Sequence, residues 1–415
     1  MKRAIVLSGG GAKGAYEIGV WKALRKLHVK YDIVTGSSVG ALNGALMVQN
    51  SYFTACYLWN RMDFNLLFNE NDLKEFSLKK DNLSLLKMYG KNILNGGMDV
   101  SDLEILVKKC LNPRKILKSK IEFGIITVNT KTLKPKIVKK NEIEVNKLSD
   151  YLIASASCYP VFKQKEIDKN HFMDGGFYDN MPVNLAIEMG ADEIIAVNLD
   201  AIGMSRPVKN KNIPITYIRP HNKIGSFLMF EKEQAKRAIK FGYNDTLKTF
   251  NKLEGNEFTF YRKELSKNHD LYKEKLKTNL KNIFDFKEDK SFTESIMTIA
   301  SYKRILSSKN INSIINDTLE YLAAACKADE TKIYRVKDLH KQIITIMNET
   351  TAISLSNFKN LKLPGTKEII KYFYNSLNQE NYSNKQKRDL ITLSIGFPKD
   401  FLSALYLYTI QQENK

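Results

Sequence analysis

The first constraint on the fold is a short apolar run that leads directly into a group of glycines. Ala4–Leu7 is aliphatic throughout, Gly9, Gly10 and Gly11 follow it, and a helix-like stretch begins near Lys13. A brief apolar run that ends at a turn signal is typical of a buried strand. The chain therefore opens with a strand, a glycine-rich turn and a helix, which together indicate an α/β layer fold.

The first 200 residues continue this alternation of short β-like runs and helix-like stretches. The later predicted strands are Tyr31–Thr35, Ile121–Val128, Pro135–Lys139, Glu193–Leu199 and Ile215–Ile218. The stretch 66–100 is polar and rich in Asn, and we interpret it as an insertion or cap. Beyond residue 225 helical periodicity prevails. We therefore predict an α/β domain over 1–225 and a basic, mostly helical region over 226–415.

Composition and length indicate a soluble globular protein with more than one domain. The 415 residues are 43% hydrophobic and 27% charged, and they contain no apolar run long enough to span a membrane. The apolar run after Lys2 and Arg3 is too short for a signal peptide. The four cysteines are scattered, without a CxxC pair or metal-ligand spacing. We expect a cytoplasmic location, no metal and no cofactor.

The glycine-rich turn from Gly9 to Gly14, with the sequence GGGAKG, is a potential anion site. Backbone N–H groups at the N-terminus of a helix favour negative charge. Dinucleotide-binding folds use the same device, but they need an acidic residue at the end of the second strand, where this chain has TGSS at residues 35–38. A P-loop would need Ser or Thr after Lys13. The turn by itself leaves the ligand open.

A second motif, GxSxG from Gly36 to Gly40, lies between a predicted strand and a predicted helix. A turn of this kind can hold its central serine, Ser38, in a strained conformation that exposes the hydroxyl above the sheet. The start of the helix also favours negative charge that develops near Ser38. The structural alternative is a plain turn in which Ser38 caps the helix.

A serine nucleophile needs a base, and the third motif, Asp174-Gly175-Gly176, offers one. A carboxylate before two glycines lies on a tight turn and can accept the serine proton directly if its environment raises its pKa. The alternative is an Asp-Gly-Gly turn with an Asx hydrogen bond. Only five histidines are present, and we interpret His171, three residues before Asp174, as structural. A Ser-His-Asp triad is therefore not expected.

The three motifs in this order resemble the patatin-like phospholipase family. Ala154–Ser157 with Pro160 and Phe162 upstream of the third motif, and Asn180 with Pro182 downstream, also match, so that the resemblance covers roughly residues 1–250. It implies a three-layer α/β/α fold. It also implies hydrolysis of phospholipid acyl esters by a Ser–Asp dyad, without histidine, metal or cofactor.

Carried over to this chain, the resemblance makes Ser38 the nucleophile and Asp174 its base. The backbone amides of Gly10, Gly11 and Ala12 would form the oxyanion hole. The motif glycines are Gly9, Gly14, Gly36, Gly40, Gly175 and Gly176. Lys13 is a departure, because the family usually has Arg there, and a mobile ammonium does not reproduce the rigid fork of a guanidinium.

The expected substrate is a phospholipid or lysophospholipid, with peripheral contact to an anionic membrane and without nucleic acid. Most of the net charge of +20 lies beyond residue 200, which suits an anionic surface but also suits plain solvated helices. The stripe Ile369, Ile370, Phe373 and Leu377, with Lys367 and Lys371 beside it, either faces such a surface or packs into the helical region. The alternative function is a non-enzymatic nucleotide- or lipid-surface-binding protein.

Overall fold

The structure is a computed structural model that describes residues 1–63, 97–99, 101–284, 311–353, 365–379 and 384–412. The chain divides into two compact units, Met1–Phe250 and Asn251–Lys415. The division lies at Phe250 rather than at the anticipated residue 225, because a helix over 232–249 packs within the first unit. The polar stretch 66–100 lies, apart from 97–99, outside the described residues.

The first unit is built on one mixed sheet. Its strands in chain order are β1 Arg3–Leu7, β2 Ile33–Ser37, β3 Glu122–Asn129, β4 Pro135–Lys139, β5 Lys165–Ile167, β6 Asn170–Asp174, β7 Glu193–Val197 and β8 Ile215–Ile218. The spatial order is β5-β6-β3-β2-β1-β7-β8, and β4 pairs with β3. The pairs of β1 with β2 and β7, of β2 with β3 and of β7 with β8 are parallel, whereas β4, β5 and β6 pair antiparallel. The short, polar strands β5 and β6 were not anticipated from sequence.

Helices cover both faces of this sheet. They are α1 Ala15–Lys26, α2 Val39–Val48, α3 Tyr52–Arg61, α4 Ser101–Cys110, α5 Pro113–Leu117, α6 Leu148–Ser155, α7 Val183–Glu188 and α8 Lys232–Thr249. In β1, Ile5 and Leu7 enter the larger core with residues of α1, α2 and α8, whereas Ala4 and Val6 pack with residues of α7 on the opposite face. The strand is apolar at every position from Ala4 because both faces are buried. The predicted three-layer α/β/α fold is confirmed.

Two glycines allow α1 and α8 to touch along their backbones. A Cβ on Gly19 would lie 1.9 Å from the carbonyl oxygen of Ile239, and one on Gly242 would lie 2.0 Å from that of Tyr16. Any larger side chain at either position would separate the helices. The close contact explains why α8 is part of the first unit.

The second unit is mostly helical, as predicted. Its helices are α9 Glu264–Phe284, α10 Ile311–Ala325, α11 Val336–Glu349, α12 Thr366–Leu377, α13 Asn384–Gly396 and α14 Pro398–Gln412. A small sheet, which the sequence did not suggest, joins β9 Leu253–Glu254, β10 Thr259–Tyr261 and β11 Ile333–Tyr334 in the order β11-β10-β9.

The apolar stripe of α12 lies in the core of the second unit. Ile369, Ile370, Phe373 and Leu377 are all buried there together with Phe401 of α14. The interpretation of this stripe as a membrane-facing surface is therefore wrong, and its packing alternative is confirmed. No single helix among the described residues is both long and apolar enough to cross a bilayer; the bent pair Asp389–Gly396 and Pro398–Gln412 meets those criteria only when its two parts are combined.

Candidate active site

Ser38 occupies the turn between β2 and α2 in a strained backbone conformation. Its φ of 54° and ψ of −129° lie in a region that costs a non-glycine residue about 1–3 kcal/mol. The turn is tight because α2 approaches β1 directly: a Cβ on Gly40 would lie 2.5 Å from the carbonyl oxygen of Leu7. Ser38 makes no side-chain cap hydrogen bond to α2. The plain N-cap alternative is therefore wrong.

Ser155, at the end of α6, fixes the backbone of this turn. The N–H of Ser38 donates to the hydroxyl oxygen of Ser155 at 3.0 Å, and that hydroxyl donates to the carbonyl oxygen of Ile126 in β3 at 2.7 Å. Ser155 is fully buried. A single buried hydroxyl thus connects the strained turn to the neighbouring strand.

Asp174 lies at the carboxyl end of β6, where its side chain meets Ser38. The carboxylate accepts a hydrogen bond from the Ser38 hydroxyl and another from the N–H of Gly176, at 2.7 Å for the latter. Asp174 is 4% exposed, and its own N–H donates to the carbonyl oxygen of Ser157 at 2.8 Å. Burial raises the pKa of Asp174 to about 6, against the lowering effect of the two hydrogen bonds. The Asx turn forms, and it orients a carboxylate that also contacts the serine.

The glycine-rich turn presents two backbone amides beside Ser38 and Asp174. Gly10 and Gly11 line the same pocket as Ser38 and Asp174, and within the described residues their N–H groups have no acceptor. The N–H of Ala12, by contrast, donates to the carbonyl oxygen of Phe227 at 2.8 Å. The amide of Ala12 is therefore occupied in this structure, whereas the amides of Gly10 and Gly11 have no acceptor among the described residues.

Lys13 anchors the glycine-rich turn to the sheet. Its ammonium donates to the carbonyl oxygen of Asp200 at 2.9 Å and to that of Leu199 at 3.3 Å, just beyond the end of β7. Partial burial lowers the pKa of Lys13, and the charge of Asp200 opposes that shift. A single ammonium is sufficient here because its acceptors are two neighbouring carbonyls rather than a planar carboxylate.

Ser38 and Asp174 line an apolar pocket of about 490 Å³, which we call the dyad pocket. Its volume lies in the range of pockets that hold small molecules. Its walls include Leu42, Leu103, Phe162, Phe177, Leu228 and Phe230. The pocket therefore brings together a serine hydroxyl hydrogen-bonded to a buried carboxylate, two backbone amides and an apolar chamber, an arrangement that is chemically suited to acyl transfer from a substrate with a hydrocarbon chain.

The sequence model of the patatin family, described as patatin-like phospholipase, matches residues 5–187. The chain carries a patatin-like phospholipase domain. The match includes all three motifs of the dyad pocket and ends within α7. The resemblance recognised from the order of these motifs is confirmed.

Two curated relatives match the patatin-like domain at low identity. A cUMP-AMP-activated phospholipase from Escherichia coli is 26% identical over 221 residues, which are 48% of this chain and 61% of that protein. Lysophospholipase NTE1 from Coccidioides immitis (strain RS) is 25% identical over 215 residues, 49% of this chain and 12% of that protein. The match thus spans less than two thirds of either relative.

Among solved structures, VipD from Legionella pneumophila covers 99% of this chain and 90% of its own, at 13% identity. Its TM-score of 0.37 is too low to support a comparison of fold or function.

Three features of the patatin-like domain's site were missed from sequence. Ser155 and Asn180 were identified only as family matches. The backbone carbonyl oxygen of Asn180 accepts from the N–H of Gly9 at 2.9 Å, and the side-chain amide of Asn180 donates to the carbonyl oxygen of Gly9 at 3.3 Å. The segment from Phe227 to Phe230, which supplies both the acceptor for Ala12 and part of the pocket wall, carries no motif. Only its unusual density of apolar residues between polar neighbours could have indicated it.

His171 is exposed on β6 and does not line the dyad pocket. Residues three apart on a strand point to opposite faces, so His171 and Asp174 cannot act on one substrate atom. Its interpretation as a structural residue agrees with this position.

Proposed function

We propose that the patatin-like domain is a serine acyl hydrolase that cleaves acyl esters of phospholipids or lysophospholipids through Ser38 and Asp174. The observation that carries the proposal is the hydrogen bond from the strained Ser38 to the buried carboxylate of Asp174 at an apolar pocket. The names of the relatives, a phospholipase and a lysophospholipase, support the substrate class.

In the proposed reaction, the oxygen of Ser38 attacks the ester carbonyl carbon while Asp174 accepts the hydroxyl proton. The N–H groups of Gly10 and Gly11 stabilise the negative charge that forms on the carbonyl oxygen. The ester C–O bond then breaks, and the leaving alcohol takes the proton from Asp174. Asp174 next deprotonates a water molecule, whose oxygen attacks the carbonyl carbon of the acyl-serine. The bond from that carbon to the Ser38 oxygen then breaks, Ser38 takes the proton back from Asp174, and the fatty acid is released.

The raised pKa of Asp174 suits this role. A carboxylate with an ordinary pKa near 4 is a weak base at neutral pH, whereas a pKa of about 6 still leaves it mostly ionised and makes it a stronger proton acceptor. Burial therefore strengthens the base without protonating it. Cys158, which also lines the pocket, has a pKa raised to about 12 by burial and by the charge of Asp174, so that its thiol stays neutral and is not a competing nucleophile.

We further propose that the mouth of the dyad pocket contacts the lipid surface. Phe177, Ile202 and Met204 line the pocket and are nevertheless 38%, 86% and 53% exposed. Apolar side chains that join a pocket to solvent gain free energy when they enter a lipid interface. We call these three residues the apolar lip.

The test combines a fluorophosphonate probe, which labels activated serines, with fatty-acid release from phospholipid vesicles in the presence of a chelator. Wild type should be labelled and should release fatty acid, and Ser38→Ala and Asp174→Asn should do neither. Ser37→Ala is the matched control: its buried hydroxyl has no hydrogen-bond partner within the described residues, so its removal should leave both signals unchanged.

Two outcomes would contradict the proposal. Release that persists in Asp174→Asn would remove Asp174 as the base. Absence of both labelling and release in wild type, together with vesicle or nucleotide binding that Ser38→Ala does not change, would favour the non-enzymatic alternative.

A further inference from the structure

A groove of about 900 Å³ in the second unit brings together one face of α9 and one face of α11. On α9 it is lined by residues spaced three and four apart, among them Glu264, Asn268 and Tyr272. On α11 it is lined in the same way by Val336, His340 and Ile344, among others. Such spacing places each set on one side of its helix. We call this feature the α9–α11 groove.

A chain of buried polar groups ends in this groove. The Nε2 atom of His340 lies 2.8 Å from the hydroxyl oxygen of Tyr406, and the Tyr406 hydroxyl donates to Oδ1 of Asn268 at 2.9 Å. Because the single tyrosine proton goes to Asn268, His340 must donate from Nε2. Burial lowers the pKa of His340 to about 4, which keeps the ring neutral and able to donate in this way.

The last donor of this hydrogen-bonded series, the side-chain amide of Asn268, has no acceptor among the described residues. Asn268 is 2% exposed, and its Nδ2 group makes no hydrogen bond within the part of the chain that the structure describes. A buried amide donor without a partner is costly, and native proteins almost always satisfy it. Asn268 is one of the residues that line the groove, so an oxygen of a bound ligand that reaches its Nδ2 group would supply the missing acceptor.

The rim of the groove is positively charged. Lys267, Lys337 and Lys341 line it and are exposed, and none of them forms an ion pair among the described residues. The carboxylate of Glu264 is engaged locally, since it accepts from the N–H of Val336 at 3.0 Å at the start of α11. An acceptor oxygen that enters here meets three ammonium groups, so that an anionic oxygen is favoured over a neutral one.

The remaining walls are apolar. Leu271 is 56% exposed although it lines the groove, and Ile344 and Tyr272 lie further along it. An inorganic anion would satisfy the lysines and Asn268 but would leave these apolar side chains exposed to water. A hydrocarbon chain attached to the anion would cover it.

We propose that the α9–α11 groove binds an amphipathic anion, with a carboxylate or phosphate oxygen on Asn268 and the lysine rim and an apolar chain along Leu271 and Ile344. This site is separate from the dyad pocket and does not depend on the function proposed for the first unit.

The test uses full-length protein carrying Ser38→Ala, so that no turnover occurs, and a fatty acid with a diazirine in its chain. After photolysis, labelled peptides are located by mass spectrometry. We expect label in 264–284 and 336–349. Octanoate and octyl phosphate should compete, and their relative strength distinguishes a carboxylate ligand from a phosphate ligand. Octanol and inorganic phosphate, which each lack half of the recognised chemistry, should compete at least tenfold less well.

Variants separate the contributions of the groove. Asn268→Asp keeps the oxygen that accepts from Tyr406 and replaces only the free donor, so labelling of the groove should fall about tenfold or more. Lys341→Gln, on the exposed rim, should reduce it roughly two- to fivefold without affecting the fold. Lys332→Gln, an exposed lysine outside the groove, is the control and should have no effect.

Three results would overturn the proposal: no label in these two helices, equal competition by octanol, or groove labelling that neither Asn268→Asp nor Lys341→Gln reduces. Label confined to the dyad pocket counts as the first of these.

Discussion

The ionised carboxylate of Asp174, the proposed base, should lower the stability of the first unit. Burial raises its pKa from an ordinary 3.8 to about 6, although hydrogen bonds from Ser38 and Gly176 oppose the change. Asp174→Asn removes the titrating group but keeps a side-chain oxygen that can accept from the N–H of Gly176. We expect this substitution to abolish acyl hydrolysis and to stabilise the first unit at neutral pH.

The size of the effect follows from the pKa. A rise from 3.8 to about 6 corresponds to about 3 kcal/mol of weaker stabilisation of the ionised form in the folded state. The folded protein binds this proton more tightly than the unfolded chain does. The stability that the protonated Asp174 contributes is therefore fully present below pH 4 and is lost as the pH rises to about 6. We therefore compare the free energy of unfolding of Asp174→Asn minus that of wild type at two pH values. This difference should be up to about 3 kcal/mol larger at pH 7 than below pH 4.

The chain offers a selective readout. It has 2 tryptophans, Trp21 and Trp59, and both are buried in the first unit. Tryptophan fluorescence during urea unfolding therefore reports on that unit alone. In parallel, the rate of fluorophosphonate labelling of wild type should fall about tenfold per pH unit below pH 6 and should be constant above it, as expected for an essential base.

Asp179 is the matched control, because burial also raises its pKa to about 6 although it does not contact Ser38. Asp179→Asn should leave the pH dependence of labelling unchanged. A labelling rate that stays constant from pH 7 to pH 5 would contradict the role of Asp174 as the base. A stability difference between wild type and Asp174→Asn that does not change with pH would contradict the raised pKa of Asp174.

Further predictions concern the groups around the dyad. Ser155→Ala removes the acceptor of the Ser38 N–H and should lower acyl release tenfold or more and the free energy of unfolding by about 1–3 kcal/mol, whereas Ser155→Thr should restore activity. Gly11→Ala should abolish acyl release, because Gly11 has a φ of +53° and its Cβ would lie 2.2 Å from the carbonyl oxygen of Phe227; normal release would contradict the assignment of this amide to the oxyanion hole. Replacing Ile202 and Met204 of the apolar lip by Ser should lower release from vesicles about tenfold but leave hydrolysis of a monomeric short-chain ester unchanged. Equal losses on both substrates would exclude a role in contacting the interface.

The order of strands, turns and helices around the three motifs was predictable from sequence, as were Ser38 and Asp174, whereas strands β5 and β6 and the end of the first unit at Phe250 were not. The aliphatic run at Ala4–Leu7, which ends at a group of glycines, is typical of a strand buried on both faces, and each motif lies where a strand ends in a turn. Such local signals are legible because the conformations of Ser38 and of the glycines depend on neighbours within a few residues.

The contacts of these residues could be read only from the tertiary structure. The sequence could not show that Phe227 occupies the amide of Ala12, that Ser155 supports Ser38, or that α8 joins the first unit through Gly19 and Gly242. Each of these contacts joins segments that are far apart in the chain.

The apolar stripe of α12 in the second unit could not be assigned from sequence for the same reason. Its amphipathic pattern fits a membrane-facing surface as well as a packed one. Periodicity shows that a helix has an apolar face, but only the tertiary structure shows which residues cover that face. It also shows that the Nδ2 group of Asn268 has no acceptor among the described residues.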